Sequence, residues 1–210
     1  MEAVHKEKYK GHKIRIYQDP DPMSPDDWGD DNLLLVHYHR QFLVTRDQII
    51  TEDDAREFYQ GETIEQSSRY WIFPVAAYIH GAVALSVGQG GHFPDQRWDV
   101  SHVGLVLAAR EEWPEEDKAR AAAEAHIEEW NLHLSGQVYG FVIKRKGEEI
   151  ASCWGFAGPL DSEYSALTEA RAQRLTVSSE TASRSRIIRS WTAWNRNSRR
   201  TSVNQLLPIR

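Results

Sequence analysis

The chain has 210 residues, 40% of them hydrophobic and 27% charged, with a formal net charge of −6. That length buries roughly 70% of an unfolded surface in one core, and no stretch reaches the roughly 18 uncharged apolar residues of a membrane-spanning helix, so no membrane partner is expected. A single cysteine, Cys153, excludes an internal disulfide framework and any multi-cysteine zinc site. Met1 to Lys13 carries positive charge with no apolar segment behind it, so the expected location is the cytoplasm.

In chain order, His12 to Tyr17 alternates polar and apolar residues and predicts a first strand, ended by the turn Asp19-Pro20-Asp21-Pro22. An aspartate-rich loop follows. Leu33 to His39 predicts a second strand, and Thr51 with Glu52, Asp53 and Asp54 reads as the capped start of a short helix closed by Gly61. Tyr70 to Tyr78, Ala82 to Val87 and Val103 to Ala109 are apolar runs that predict core strands, with Pro74 marking an edge or a bulge. Pro114 opens the strongest helix, in which Ala119, Ala123, Ile127, Trp130 and Leu134 recur at helical spacing before Gly136. Gln137 to Lys144 and Glu149 to Phe156 flank Arg145-Lys146-Gly147-Glu148 as a hairpin, and a further helix is expected from Asp161 to about Arg174.

Strands and helices without strict alternation predict an α+β fold, a mainly antiparallel sheet packed against two or three helices, as one domain over residues 1–175. Residues 176–210 form an Arg/Ser/Trp-rich tail, helical or disordered. Residues 161–210 hold nine arginines against four acids, which leaves −11 on the other 160 residues. An acidic body with a basic tail attracts two kinds of partner, or the tail folds back on the body.

Six segments stand out in order: Ser24-Pro25-Asp26-Asp27-Trp28, His39-Arg40, Tyr78-Ile79-His80-Gly81, Trp98-Asp99-Val100-Ser101-His102-Val103-Gly104, Leu134-Ser135-Gly136-Gln137-Val138-Tyr139-Gly140 and Cys153-Trp154-Gly155-Phe156-Ala157-Gly158. Together, over about residues 12 to 175, they resemble the signature segments of a family of small proteins common in tailed bacteriophages and prophages. The departures are a missing serine after His80, a replaced Ser-Gly in the Trp-Asp segment, histidine for glutamine at 102 and alanine for tyrosine at 157. The resemblance implies an accessory protein acting in the host cytoplasm and supplies no biochemical activity.

Three constellations carry chemistry. Cys153 suits a thiol nucleophile with His80, or His102, as base and Asp99 as orienting acid, because a cysteine needs a nearby imidazole to become a thiolate at neutral pH. The plainer reading is a buried small hydrophobe. His37 and His39, two apart on one strand, would face one side and suit a metal with His80, His92 or Asp99; a hydrogen-bonded histidine pair is the plainer reading, and no metal is expected. The aspartates 19, 21, 26, 27, 30 and 31 lack the calcium-loop pattern and read as a solvated loop. Gly88-Gln89-Gly90-Gly91 lacks the Gly-Lys-Ser/Thr ending of a phosphate loop and reads as a turn, so no cofactor is expected.

Binding is assigned to Trp28, Trp98 and Trp154 and to the tail residues Arg186, Arg189, Trp191, Trp194, Arg196, Arg199 and Arg200. Arginine with stacking aromatics suits single-stranded nucleic acid and also protein interfaces. The leading expectation is a non-enzymatic phage-type accessory protein that binds a host protein complex, such as an inhibitor of a host defence or regulatory complex. The alternatives are a cysteine-dependent hydrolase or transferase using Cys153, His80 and Asp99, and a nucleic-acid-binding protein acting through its tail.

Overall fold

The computed structural model describes residues 1–27, 33–38, 50–90, 93 and 100–176. Its strands are β1 (His5–Tyr9), β2 (His12–Gln18), β3 (Leu33–His37), β4 (Tyr70–Ile79), β5 (Val83–Val87), β6 (Val100–Ala109), β7 (Val138–Arg145) and β8 (Glu148–Ala157), and its helices α1 (Glu52–Tyr59), α2 (Glu116–Leu134) and α3 (Ala166–Thr176). Among the described residues every strand pairing is antiparallel, in two four-stranded sheets ordered β1-β2-β7-β8 and β3-β6-β4-β5. The fold class is α+β. The described residues fall into two compact units, one of residues 1–23 and 132–176, the other within Ser24–Asn131.

The first unit holds the sheet β1-β2-β7-β8. Two hairpins frame it, and both turn on a Lys-Gly pair with positive φ: Lys10 at 46° and Gly11 at 84°, Lys146 at 51° and Gly147 at 95°. Two successive left-handed residues match the twist of a tight hairpin. β1 was not foreseen from the sequence, because Lys6 and Lys8 occupy its exposed positions and the segment reads as plain charge. Within β2, Ile14 and Ile16 are buried while Lys13 and Arg15 are exposed, the pattern of a sheet covered on one face. The core under that face joins Ile14, Ile16, Phe141 and Ile143 to Ala166, Leu167 and Ala170 of α3, which lies against β2, β7 and β8. α3 starts at Ala166 rather than Asp161, since the hydroxyl of Ser165 accepts the Thr168 N–H at 3.2 Å and caps the first turn. Arg171 of α3 grips Glu7 of β1 through two hydrogen bonds, Nη2–Oε2 at 2.6 Å and Nε–Oε1 at 3.2 Å. This bond holds the Glu7 carboxyl below the usual carboxylate range.

The second unit holds the sheet β3-β6-β4-β5, covered on both faces. Residues Val103 through Ala108 of β6 are all buried, which is why that stretch reads as a continuous apolar run. On one face Leu105 and Leu107 cluster with Val36, Ile50, Ile64 and Ala55 of α1. The helix begins at Thr51 with a reciprocal capping box to Asp54. On the other face Arg120 of α2 lies 4.7 Å above the Phe73 ring, and the side-chain amide of Asn131 exchanges hydrogen bonds of 2.7 and 3.0 Å with the Leu85 backbone. Ala119, Ala122, Ala123, His126, Ile127 and Trp130 form the buried stripe of α2. Pro74 sits just outside the stretch of β4 that pairs with β5, beside a register shift between Val75 and Ala76, so its missing N–H costs no ladder bond there. No helix among the described residues is long and apolar enough to cross a membrane.

Candidate functional site

The most distinctive surface lies on the first unit, on the face of its sheet opposite α3. Residues directly opposite in an antiparallel register share a face, so the face follows from the pairing. Lys8 pairs with Lys13 and Lys13 with Lys144; one step along, Lys6 pairs with Arg15 and Arg15 with Val142; one step further, Tyr17 pairs with Gly140. Lys6, Lys8, Lys13 and Arg15 are exposed and Lys144 is half-buried. Glu149, opposite Lys144, is the acid this register adds to the face.

The third row is completed by a bulge. Tyr139 pairs with Phe156 and Phe141 with Cys153, so Trp154 and Gly155 together oppose the single residue Gly140. Gly155 takes a positive φ of 89° there, and the indole of Trp154 lies across Gly140 so closely that any β-carbon at 140 would collide with ring atoms Cε3 and Cδ2. Trp154 is 41% exposed, and its ring centroid is 6.2 Å from that of Tyr17 at an interplanar angle of 32°. An aromatic pair therefore borders a patch of cations.

Cys153, next to Trp154, points to the opposite face. It pairs with Phe141 in the α3-covered layer, and Glu169 of α3 is among the charges acting on it. Its sulfur makes one weak contact, to the Trp154 carbonyl at 3.9 Å. Burial pushes the thiol pKa up, and Glu169 adds to the rise, the direction opposite to that of an activated thiolate. His80 lies in the other unit, exposed in the turn between β4 and β5, with its ring stacked 6.1 Å from Tyr78. Asp99 lies outside the described residues, as do Trp28, Trp98, His39, His92, Arg186, Arg189, Trp191, Trp194, Arg196, Arg199 and Arg200. His37 is buried, its ring edge-on to Trp130 at 6.5 Å. Among the described residues no three His, Cys, Asp or Glu side chains gather closely enough to hold a metal. His102 is exposed on β6, its ring 4.7 Å from that of Tyr59. The Tyr59 hydroxyl donates to the Gly104 carbonyl, and burial lifts its pKa to about 12.

The reading of the aspartate segment as a solvated loop is corrected at Asp26. Its side chain is only 5% exposed, and one carboxylate oxygen accepts from His126 Nε2 at 2.8 Å, Trp130 Nε1 at 3.1 Å and the Leu35 N–H at 3.3 Å. A carboxylate leaves water only when donors replace the solvent, and here α2 and β3 supply them. Sequence reasoning missed His126, although its position four residues before Trp130 on the buried stripe was the available signal. The chemistry of the network is structural: its groups are buried, and Asp26 Oδ1, His126 Nε2 and Trp130 Nε1 bond to one another. No family model, curated protein or solved structure matches the chain.

Proposed function

We propose that the chain is a phage-type accessory protein that binds a host macromolecule and performs no chemistry on it; in that setting the binding inhibits a host defence or regulatory complex. The observation that carries this reading is the sorting of surface character between the two units. Residues 24–131 hold 21 acids against eight Lys and Arg, whereas residues 1–23 and 132–176 hold nine against ten. Among the described residues the large exposed hydrophobic ones, Met1, Val4, Met23, Trp154 and Tyr164, belong to the second of these groups. Fields of one sign steer association, and exposed aromatics beside them supply contact area. The thiol supports the same reading, because a raised pKa leaves it largely protonated and weakly nucleophilic. Tagged full-length protein is to be recovered from host cells under gentle conditions, with and without nuclease. A stoichiometric partner is expected; recovery of the chain alone in both arms overturns the proposal.

A further inference from the structure

We infer that the α3-free face of the β1-β2-β7-β8 sheet binds single-stranded nucleic acid, with Lys13, Arg15 and Lys144 holding phosphates and Tyr17 and Trp154 stacking bases. This rests on the binding reading above and names its partner class. The first support is the register. Lys8, Lys13 and Lys144 stand side by side on three adjacent strands, and Lys6 stands opposite Arg15. Like charges directly opposite one another destabilise a sheet. Lysines on an edge strand have a separate use, since they blunt edge-to-edge aggregation, and that accounts for Lys6 and Lys8 on β1. It does not account for Lys13, Arg15 and Lys144, which lie on the two inner strands β2 and β7.

The second support is the lack of internal neutralisation. Among the described residues none of these five cations makes an ion pair, while Arg56, Lys118, Arg120 and Arg171 all do. A chain of net charge −6 thus gathers uncompensated positive charge on one face, the complement of a polyanion. The third support decides which polyanion. Trp154 and Tyr17 present rings beside the cations, and the Trp154 ring keeps its place because Gly140 leaves room beneath it. Aromatic rings on a flat antiparallel sheet stack on unpaired bases, whose faces a single strand exposes and a duplex hides.

Labelled oligothymidylate and oligouridylate, the corresponding duplexes and phosphatidylserine vesicles are titrated with the full-length protein. Single strands are expected to bind best, and with the three phosphates held by Lys13, Arg15 and Lys144 neutralised the sheet contributes about −2 to the slope of log K against log salt. Preference for one oligonucleotide identifies RNA or DNA as the ligand. The triple variant Lys13→Gln, Arg15→Gln, Lys144→Gln is expected to flatten that slope by about 2. Trp154→Ala is expected to weaken binding about tenfold at unchanged slope. Because the tail is itself rich in arginine, the titrations are repeated with Arg184, Arg186, Arg189, Arg196, Arg199 and Arg200 replaced by glutamine; the effects of the sheet substitutions persist in that background. Circular dichroism checks folding, and Lys13→Gln alone serves should the triple variant misfold. Absence of oligonucleotide binding at low salt, binding indifferent to the sheet substitutions, equal affinity for duplexes, or binding to vesicles alone overturns the inference. A nuclease-resistant host protein captured without oligonucleotide binding overturns this inference and leaves the broader one standing; capture of nothing, with no oligonucleotide binding, ends both.

Discussion

The two units each contain a four-stranded antiparallel sheet and use it in opposite ways. In the second unit both faces are covered, β6 is buried from Val103 to Ala108, and even the polar groups Asp26 and His126 are drawn inside and bonded to one another. In the first unit one face carries α3 and the other keeps its charges in water beside an exposed tryptophan. A sheet buried on both sides gains stability from each strand. One left open on one side gives up that gain and keeps a surface for recognition.

Breaking the buried hub tests this contrast most strongly. Trp130→Ala is expected to cost about 4 kcal/mol, by removing a fully buried indole and the donor it offers Asp26. Thermal unfolding measures it, and a loss no larger than that of Trp154→Ala would erase the difference between a packed tryptophan and a presented one. Asp26→Ala is expected to cost about 3 kcal/mol by leaving buried donors unpaired, whereas Asp26→Asn, which keeps an acceptor oxygen, costs less. Equal losses for the two variants would mean that the network matters only through volume.

The units are also expected to respond at opposite ends of the pH scale. Tyr59 of the second unit is raised to about 12 by burial, so its neutral form is favoured in the folded state. Its contribution is complete below the unfolded tyrosine value of about 10 and is lost as pH rises through the folded one. Alkaline unfolding should therefore shift in Tyr59→Phe, which has no phenol to ionise. Glu7 of the first unit behaves in the opposite sense. Its depressed pKa gives a contribution present above the unfolded value and lost as acid protonates the folded carboxylate. The pair is partly exposed and screened, so Glu7→Gln should cost less than about 1 kcal/mol near neutral pH and nothing in acid, as measured by denaturant midpoints. The smallest effect has the opposite sign. Lys13→Gln should stabilise the protein by about 0.5 kcal/mol, by removing a cation flanked by Lys8 and Lys144. A loss of stability there would show that the cationic rows are structural.

Much of this was legible in local chemistry. The N-cap at Thr51, the helix after Pro114 with Ala119, Ala123, Ile127 and Trp130 on its buried stripe, the Lys146-Gly147 hairpin and the apolar run of β6 are all properties of short segments, and the structure contains each of them. β1 was missed although Lys10-Gly11 repeats the turn dipeptide of the later hairpin, because a strand made of His, Lys, Glu, Lys and Tyr carries no apolar alternation. Asp26 was misread because burial of a carboxylate depends on donors 100 and 104 residues away. Cys153 was legible as a residue of interest, and only its pairing with Phe141 shows that it faces α3.

The sequence by itself marked β2 as a strand with one wet face and β6 as one with none, since alternation in β2 and continuity in β6 are direct records of burial. Tertiary structure alone decided which strands became neighbours. β2 pairs with β7 more than a hundred residues later, and that register sets Lys13 beside Lys144 and Tyr17 beside the glycine under Trp154. Propensity and periodicity act within a few residues of chain, whereas strand register is chosen by the packing of whole faces. The cationic and aromatic rows therefore exist only once the sheet is assembled.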